Sequence, residues 1–163
     1  MVRRVPGLYN PPMRTLTALL LLSLAVGCAQ TRTYQVSVTN HTQSPITFGV
    51  VKHGDPYERE WAAPEEIEAE GGHASAELWA AIPPGKTAVS EELKGRFGRN
   101  AIAYLRVFQG KLDLAGIMAI GRGQPNRLDI VLAPGMNKFV IINLNGRFEA
   151  VHDVPPTGQA SAR

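Results

Sequence analysis

The sequence has one cysteine, two tryptophans and charge on only 19% of its residues. A single cysteine excludes an intramolecular disulfide framework, although the chain looks exported. Sparse charge beside 16 glycines and 12 prolines argues against a helical bundle, because both residues punctuate regular structure and neither suits a helix interior. The longest apolar run, residues 16–26, falls short of the roughly 20 residues that span a bilayer. At 163 residues with 44% hydrophobic content, the chain is sized for one globular domain with a real core.

The single cysteine has a specific context. Residues 13–28 read MRTLTALLLLSLAVGC: a base at Arg14, an apolar run of signal-peptide length, a small residue, then Cys28. Met13 alone begins a sufficient signal, so residues 1–12 are expected to be an over-long gene start. Arg3, Arg4 and Arg14 all precede the cut. Removing these three of the 17 bases leaves 14 against 14 acids, so the mature chain is formally neutral. The high isoelectric point therefore belongs to the export signal and gives no argument for nucleic acid.

Leu24-Ala25-Val26-Gly27-Cys28 resembles the lipobox of bacterial lipoprotein precursors, with Ala25 where leucine is usual. The resemblance covers the export segment only. It implies that Cys28 is lipidated and becomes the mature N-terminus, with acyl chains that each contribute about 0.8 kcal/mol per buried methylene to a stable membrane anchor. Ala29 is not the aspartate that retains some lipoproteins at the inner membrane, so the implied destination is the outer membrane, facing the periplasm.

Past a polar spacer at residues 29–32, period-two patterns begin. Tyr34, Val36 and Val38 alternate with Gln35, Ser37 and Thr39, as a half-buried strand requires. NHTQS then turns the chain and Pro45 opens ITFGVVK, which together read as a hairpin. Pro64-Glu65-Glu66 suits a helix start, with proline at the first helical position and acids by the positive end of the dipole, so a short helical excursion is expected near 64–70. Residues 101–108 (AIAYLRVF) and 112–120 (LDLAGIMAI) are apolar on nearly both faces and read as two central strands joined by Gln109-Gly110-Lys111. Asn145-Gly146 between apolar runs is a strong signal for a type I′ hairpin. The tail at 152–163, rich in Pro, Ser, Gly and Ala, is expected to be disordered.

These elements predict an all-β sandwich over 33–151, immunoglobulin- or fibronectin-like in general architecture, with about seven to nine short strands. A partly open barrel is the alternative.

Sequence motifs for chemistry are few. AAIPPGKT contains Gly-Lys-Thr, yet a phosphate loop needs a glycine where Ala80 stands, and Pro83 and Pro84 carry no amide hydrogen for the cradle. A Pro-Pro-Gly-Lys turn between strands is the expectation, with no nucleotide. Gly121-Arg122-Gly123-Gln124-Pro125-Asn126 begins like a dinucleotide fingerprint but has proline where a helix should start, and reads as a hairpin loop. His41, His53, His73 and His152 lack metal-ligand spacing, and no Gly-x-Ser-x-Gly elbow presents a serine. Neither cofactor nor metal is implied.

Two weaker signals remain. Trp61 and Trp79 are each followed by Ala-Ala, and aromatic anchors are enriched at binding surfaces. Charge is also segregated: residues 55–92 hold ten acids and two bases, whereas 93–147 hold two acids and nine bases. Either the halves meet in the fold, or an acidic face around Glu65 and Glu66 meets a basic partner. The expectation is a lipid-anchored envelope protein acting as a non-catalytic binding module toward an envelope protein or glycan. The alternatives are an envelope hydrolase or carbohydrate-active enzyme using dispersed residues such as Glu58, Glu60 and His73, and a subunit of a secretion or wall-associated complex.

Overall fold

Alternation along β1 (Gln30–Asn40) places Tyr34, Val36, Val38 and Asn40 on one buried face in the computed structural model, which describes residues 29–73 and 76–153. Among the described residues nine strands form two sheets. In one, β4 (Thr87–Val89) and β5 (Leu93–Phe97) pair in succession along one edge of β1. The other edge of β1 runs parallel to β8 (Gly135–Leu144), which pairs with β9 (Arg147–His152). The second sheet has the order β3 (Ala80–Ile82), β2 (Ile46–His53), β6 (Ile102–Gln109), β7 (Arg127–Val131). The fold is thus the expected all-β sandwich, with helix α1 (Pro64–Ala69) where the excursion was placed.

Side chains of the two inner faces form the core: Tyr34, Val36, Val38, Phe139 and Ile141 from the first sheet meet Ile46, Phe48, Val50, Leu105 and Val107 from the second. The second sheet is also covered outside. Val51 and Phe108 are buried on its outer face, where Trp79 packs on Phe108 with ring centroids 5.6 Å apart. This cover explains why β2 and β6 are apolar on both faces, while β1, with Thr33, Gln35, Ser37 and Thr39 on its outer face, alternates.

Several expectations are corrected. β1 and β2 form no hairpin but lie in different sheets, because the chain changes layers at His41. The buried Asn40 carboxamide fixes this crossing: it donates to the carbonyls of Ser44 and Ile82, both at 2.9 Å, and accepts from the Thr42 amide at 2.9 Å. Residues 112–120 are no strand. Leu114–Ala119 is a second helix, α2, whose N-cap Asp113 accepts the Gly116 amide at 2.8 Å. β6 pairs instead with β2 and β7, and 121–126 links α2 to β7 through turns and makes no hairpin. The spacer at 29–32 is mostly strand, since β5 supplies Gln30, Thr31 and Arg32 with partners. The Asn145-Gly146 hairpin forms as expected, with φ of 55° and 80°. The tail beyond Asp153 lies outside the described residues.

Candidate functional site

The connection between β2 and β3, which carries most of the acidic segment, positions nearly every side chain singled out in the sequence. Its first part folds under the edge of the sandwich. Trp61 is 3% exposed and packs with Tyr34 and Phe97 at centroid distances of 6.0 and 5.3 Å, so it belongs to the core and offers no surface anchor. Gly95 of β5 lies directly against its ring, where a Cβ would have no room.

Glu58 locks this corner. Its carboxylate accepts Lys52 Nζ at 2.7 Å, the Trp61 indole N–H at 3.3 Å and the Arg96 backbone amide at 3.0 Å. Lys52 is buried at the end of β2, donates also to the Pro56 carbonyl, and sits 5.1 Å from the centroid of the Phe97 ring. Desolvation pushes the Glu58 carboxyl up, but the Lys52 and Arg96 hydrogen bonds outweigh it and hold the group below the usual carboxylate range.

Glu65 and Glu66 on α1 go separate ways. Glu65 accepts Arg106 Nη1 at 2.8 Å and approaches Arg127 Nη2 at 3.7 Å, while Glu66 pairs with His53 Nδ1. Behind Glu65 the Arg106 and Arg127 side chains, 3% and 6% exposed, converge on Asp129 at 2.8 and 2.9 Å. Burial raises the carboxyls of Glu65 and Asp129, and their arginine partners more than compensate, so both lie below the usual range. The acidic and basic halves of the chain therefore meet here, as one of the two sequence expectations had it. Glu60, Glu68 and Glu70 remain exposed on the same flank.

Trp79, partly buried, packs against β2 at Gly49. A Cβ at Gly49 would stand 2.6 Å from its ring, which makes glycine the residue that admits the indole. The two tryptophans thus occupy different layers and form no common surface.

Of the three residues named for a hydrolase, Glu60 and His73 do line one cleft of about 370 Å³ with Arg59, Ile67, Glu77 and Leu78. Glu58 is not among them, being committed to Lys52 and Trp61. Sequence reasoning missed Lys52 and Arg106 as buried cations. The signal was available, since each is a lone charge inside an apolar strand, where a cation persists only if paired.

PPGK is a tight turn: the Lys86 amide donates to the Pro83 carbonyl at 3.2 Å, Gly85 has φ of 71°, and the Gly85 amide is taken by the Asn40 carbonyl at 2.7 Å. That amide is therefore already engaged and does not point at a phosphate. Among the described residues no group of three or more His, Cys, Asp or Glu could hold a metal, and no helix is long and apolar enough to cross a membrane. Cys28 and the lipobox-like stretch before it lie outside the described residues.

No family model matches the chain, and no curated protein matches it. Among solved structures it is similar to the T6SS lipoprotein TssJ1 from Pseudomonas aeruginosa, at 9% identity and a TM-score of 0.37, over 78% of this chain and 100% of that one. A likeness of that degree carries no argument about function, which has to come from the chain's own residues.

Proposed function

We propose that this is a lipid-anchored protein of the bacterial cell envelope whose β-sandwich is a non-catalytic binding or assembly module. The observation that carries the reading is Cys28: the sole cysteine, at the end of a lipobox-like Leu24-Ala25-Val26-Gly27-Cys28 and two residues ahead of the first strand. An acylated thiol gives that cysteine a purpose that disulfide or metal chemistry does not. The non-catalytic half draws support from where the charges go. The carboxylates with displaced titration, Glu58, Glu65 and Asp129, are each spent on a buried cation that needs them.

The test is Cys28→Ser in the full chain, expressed in a bacterium and fed labelled fatty acid. Wild type is expected to carry the label and to sediment with membranes, and the variant to lose both. A variant that stays labelled and membrane-bound overturns the reading. A hydrolase is favoured by one observation, the shared cleft of Glu60 and His73. It requires that Glu60→Gln abolish a turnover that wild type shows on envelope glycan.

A further inference from the structure

We infer that the sandwich stands on the membrane by one defined end, the end at which β1 begins, and that this end is built to contact anionic phospholipid headgroups. The inference rests on the lipid anchor at Cys28 and adds to it an orientation and a contact surface.

Covalent geometry sets the distance. β1 starts at Gln30, two residues beyond Cys28, and two residues of extended chain span about 7 Å. Gln30 is itself hydrogen-bonded into the sheet opposite Phe97. An anchor so close to a paired strand leaves no linker on which the domain could swing away. Whatever lies at this end is held within side-chain reach of the headgroups.

Strand register identifies what lies there. β5 runs antiparallel to β1 and ends beside its start, and β6 then sets out from the same end opposite the last residues of β2. β7 finishes near it, with Val131 opposite Tyr104, whereas β8 begins further along β1, with Gly135 opposite Tyr34. The loop after β2 joins them, since the Asp55 carbonyl accepts the Gly98 amide at 2.9 Å.

Two properties mark this end. Of the seven large hydrophobic side chains exposed among the described residues, three are here: Tyr57 at 45%, Ile102 at 39% and Val131 at 61%. Met136, opposite Gln35, lies near mid-strand with Val89 and Val151, and Leu144 lies at the far end. Tyrosine and short aliphatic groups of this kind favour the membrane interface, where one part of the ring is apolar and the phenol is wet.

The second property is charge. Lys94 and Arg96 are exposed opposite Thr33 and Thr31, Arg99 is exposed in the adjoining turn, and Arg32 lies over Phe97 at 5.7 Å. The acids at this end are Asp55, Glu66 and Glu70, which line one pocket with Tyr57, and Glu58; of these Glu66 is paired with His53 and Glu58 with Lys52. Glu91 and Glu92 sit further along, beyond Leu93. One lipid anchor joined to a basic, partly apolar surface is the combination that gives stable, oriented attachment to anionic membranes.

The experiment uses the full lipidated chain in vesicles of phosphatidylethanolamine with phosphatidylglycerol. With Cys28 acylated, a cysteine introduced elsewhere is the one free thiol for a spin label. Labels at Tyr57→Cys and Ile102→Cys are expected to be reached by membrane-dissolved oxygen and shielded from a water-soluble nickel relaxant, and a label at Asn145→Cys to show the reverse. Combining Lys94→Glu, Arg96→Glu and Arg99→Glu with Ile102→Cys should abolish the shielding, while circular dichroism reports an unchanged fold. Labels at 57 and 102 as open to nickel as that at 145, with fatty acid still on Cys28, overturn the orientation and leave the anchor standing. Absence of fatty acid from Cys28 overturns the anchor and the orientation with it.

Discussion

Arg106 and Asp129 are register partners across β6 and β7, and the guanidinium Nε donates to the carboxylate at 2.8 Å on the outer face of the second sheet. Arg127, two residues before Asp129 and so on the same face of β7, donates to it at 2.9 Å. One carboxylate, 14% exposed, therefore stands between two buried cations. Replacing it by Asp129→Asn keeps the shape and removes the charge. Breaking a buried pair in this way costs about 3–5 kcal/mol. Glu65, half exposed on the solvent side of the same cluster, should be worth far less, about 0–1 kcal/mol on Glu65→Gln. Urea unfolding midpoints of the two variants check the ranking, and equal losses would contradict it.

Acid should destabilise the protein through the same groups. Glu58, Glu65 and Asp129 all have folded-state carboxyls held below their ordinary values by cationic partners. A depressed folded pKa contributes stability that is fully present above the unfolded value of about 4 and is lost as pH falls through the folded value. Unfolding midpoints are therefore expected to be flat from neutrality to about pH 5 and to drop below about pH 4, with protons taken up on unfolding. Asp129→Asn should flatten that acid limb relative to wild type. An acid limb unchanged in the variant would show that Asp129 plays no part in it.

Local chemistry was legible in the sequence, and layer assignment was not. The alternation of Tyr34, Val36 and Val38, the Asn145-Gly146 turn and the proline-led start of α1 each depend on a few consecutive residues, and each appears where expected. The run 112–120 failed because a six-residue helix and a buried strand give the same apolar pattern. The deciding feature was the Asp113 cap, a single hydrogen bond. The β1–β2 connection failed because a five-residue turn reads alike whether it closes a hairpin or crosses between sheets. Whether Trp61 and Trp79 faced solvent could not be read from their neighbours alone, since Gly95 and Gly49, the bare backbone that receives them, lie 34 positions later and 30 earlier in the chain.

Asn40 offers a test of what holds that crossing. Its side chain is fully buried and satisfied, with two donors on the Ser44 and Ile82 carbonyls and an acceptor oxygen on the Thr42 amide and hydroxyl. Asn40→Ala removes a partner from the Ile82 carbonyl and the Thr42 amide, while the Ser44 carbonyl and the Thr42 hydroxyl keep each other at 2.7 Å, at about 1–3 kcal/mol for each group that stays buried and unsatisfied. Asn40→Asp keeps the volume but sets a carboxylate against two carbonyl oxygens, so it should cost more than the alanine at neutral pH. Burial and those oxygens both favour the protonated acid, which raises its folded pKa above the unfolded value. The excess cost is then fully present above the raised pKa and is relieved as pH falls through it, because the protonated acid can again donate to one carbonyl. Relative to wild type, Asn40→Asp should therefore recover on acidification, opposite in sign to the acid limb expected from Asp129. Midpoint differences between Asn40→Asp and wild type that stay constant from pH 7 to pH 4 would show that the carboxamide donors do not hold the turn.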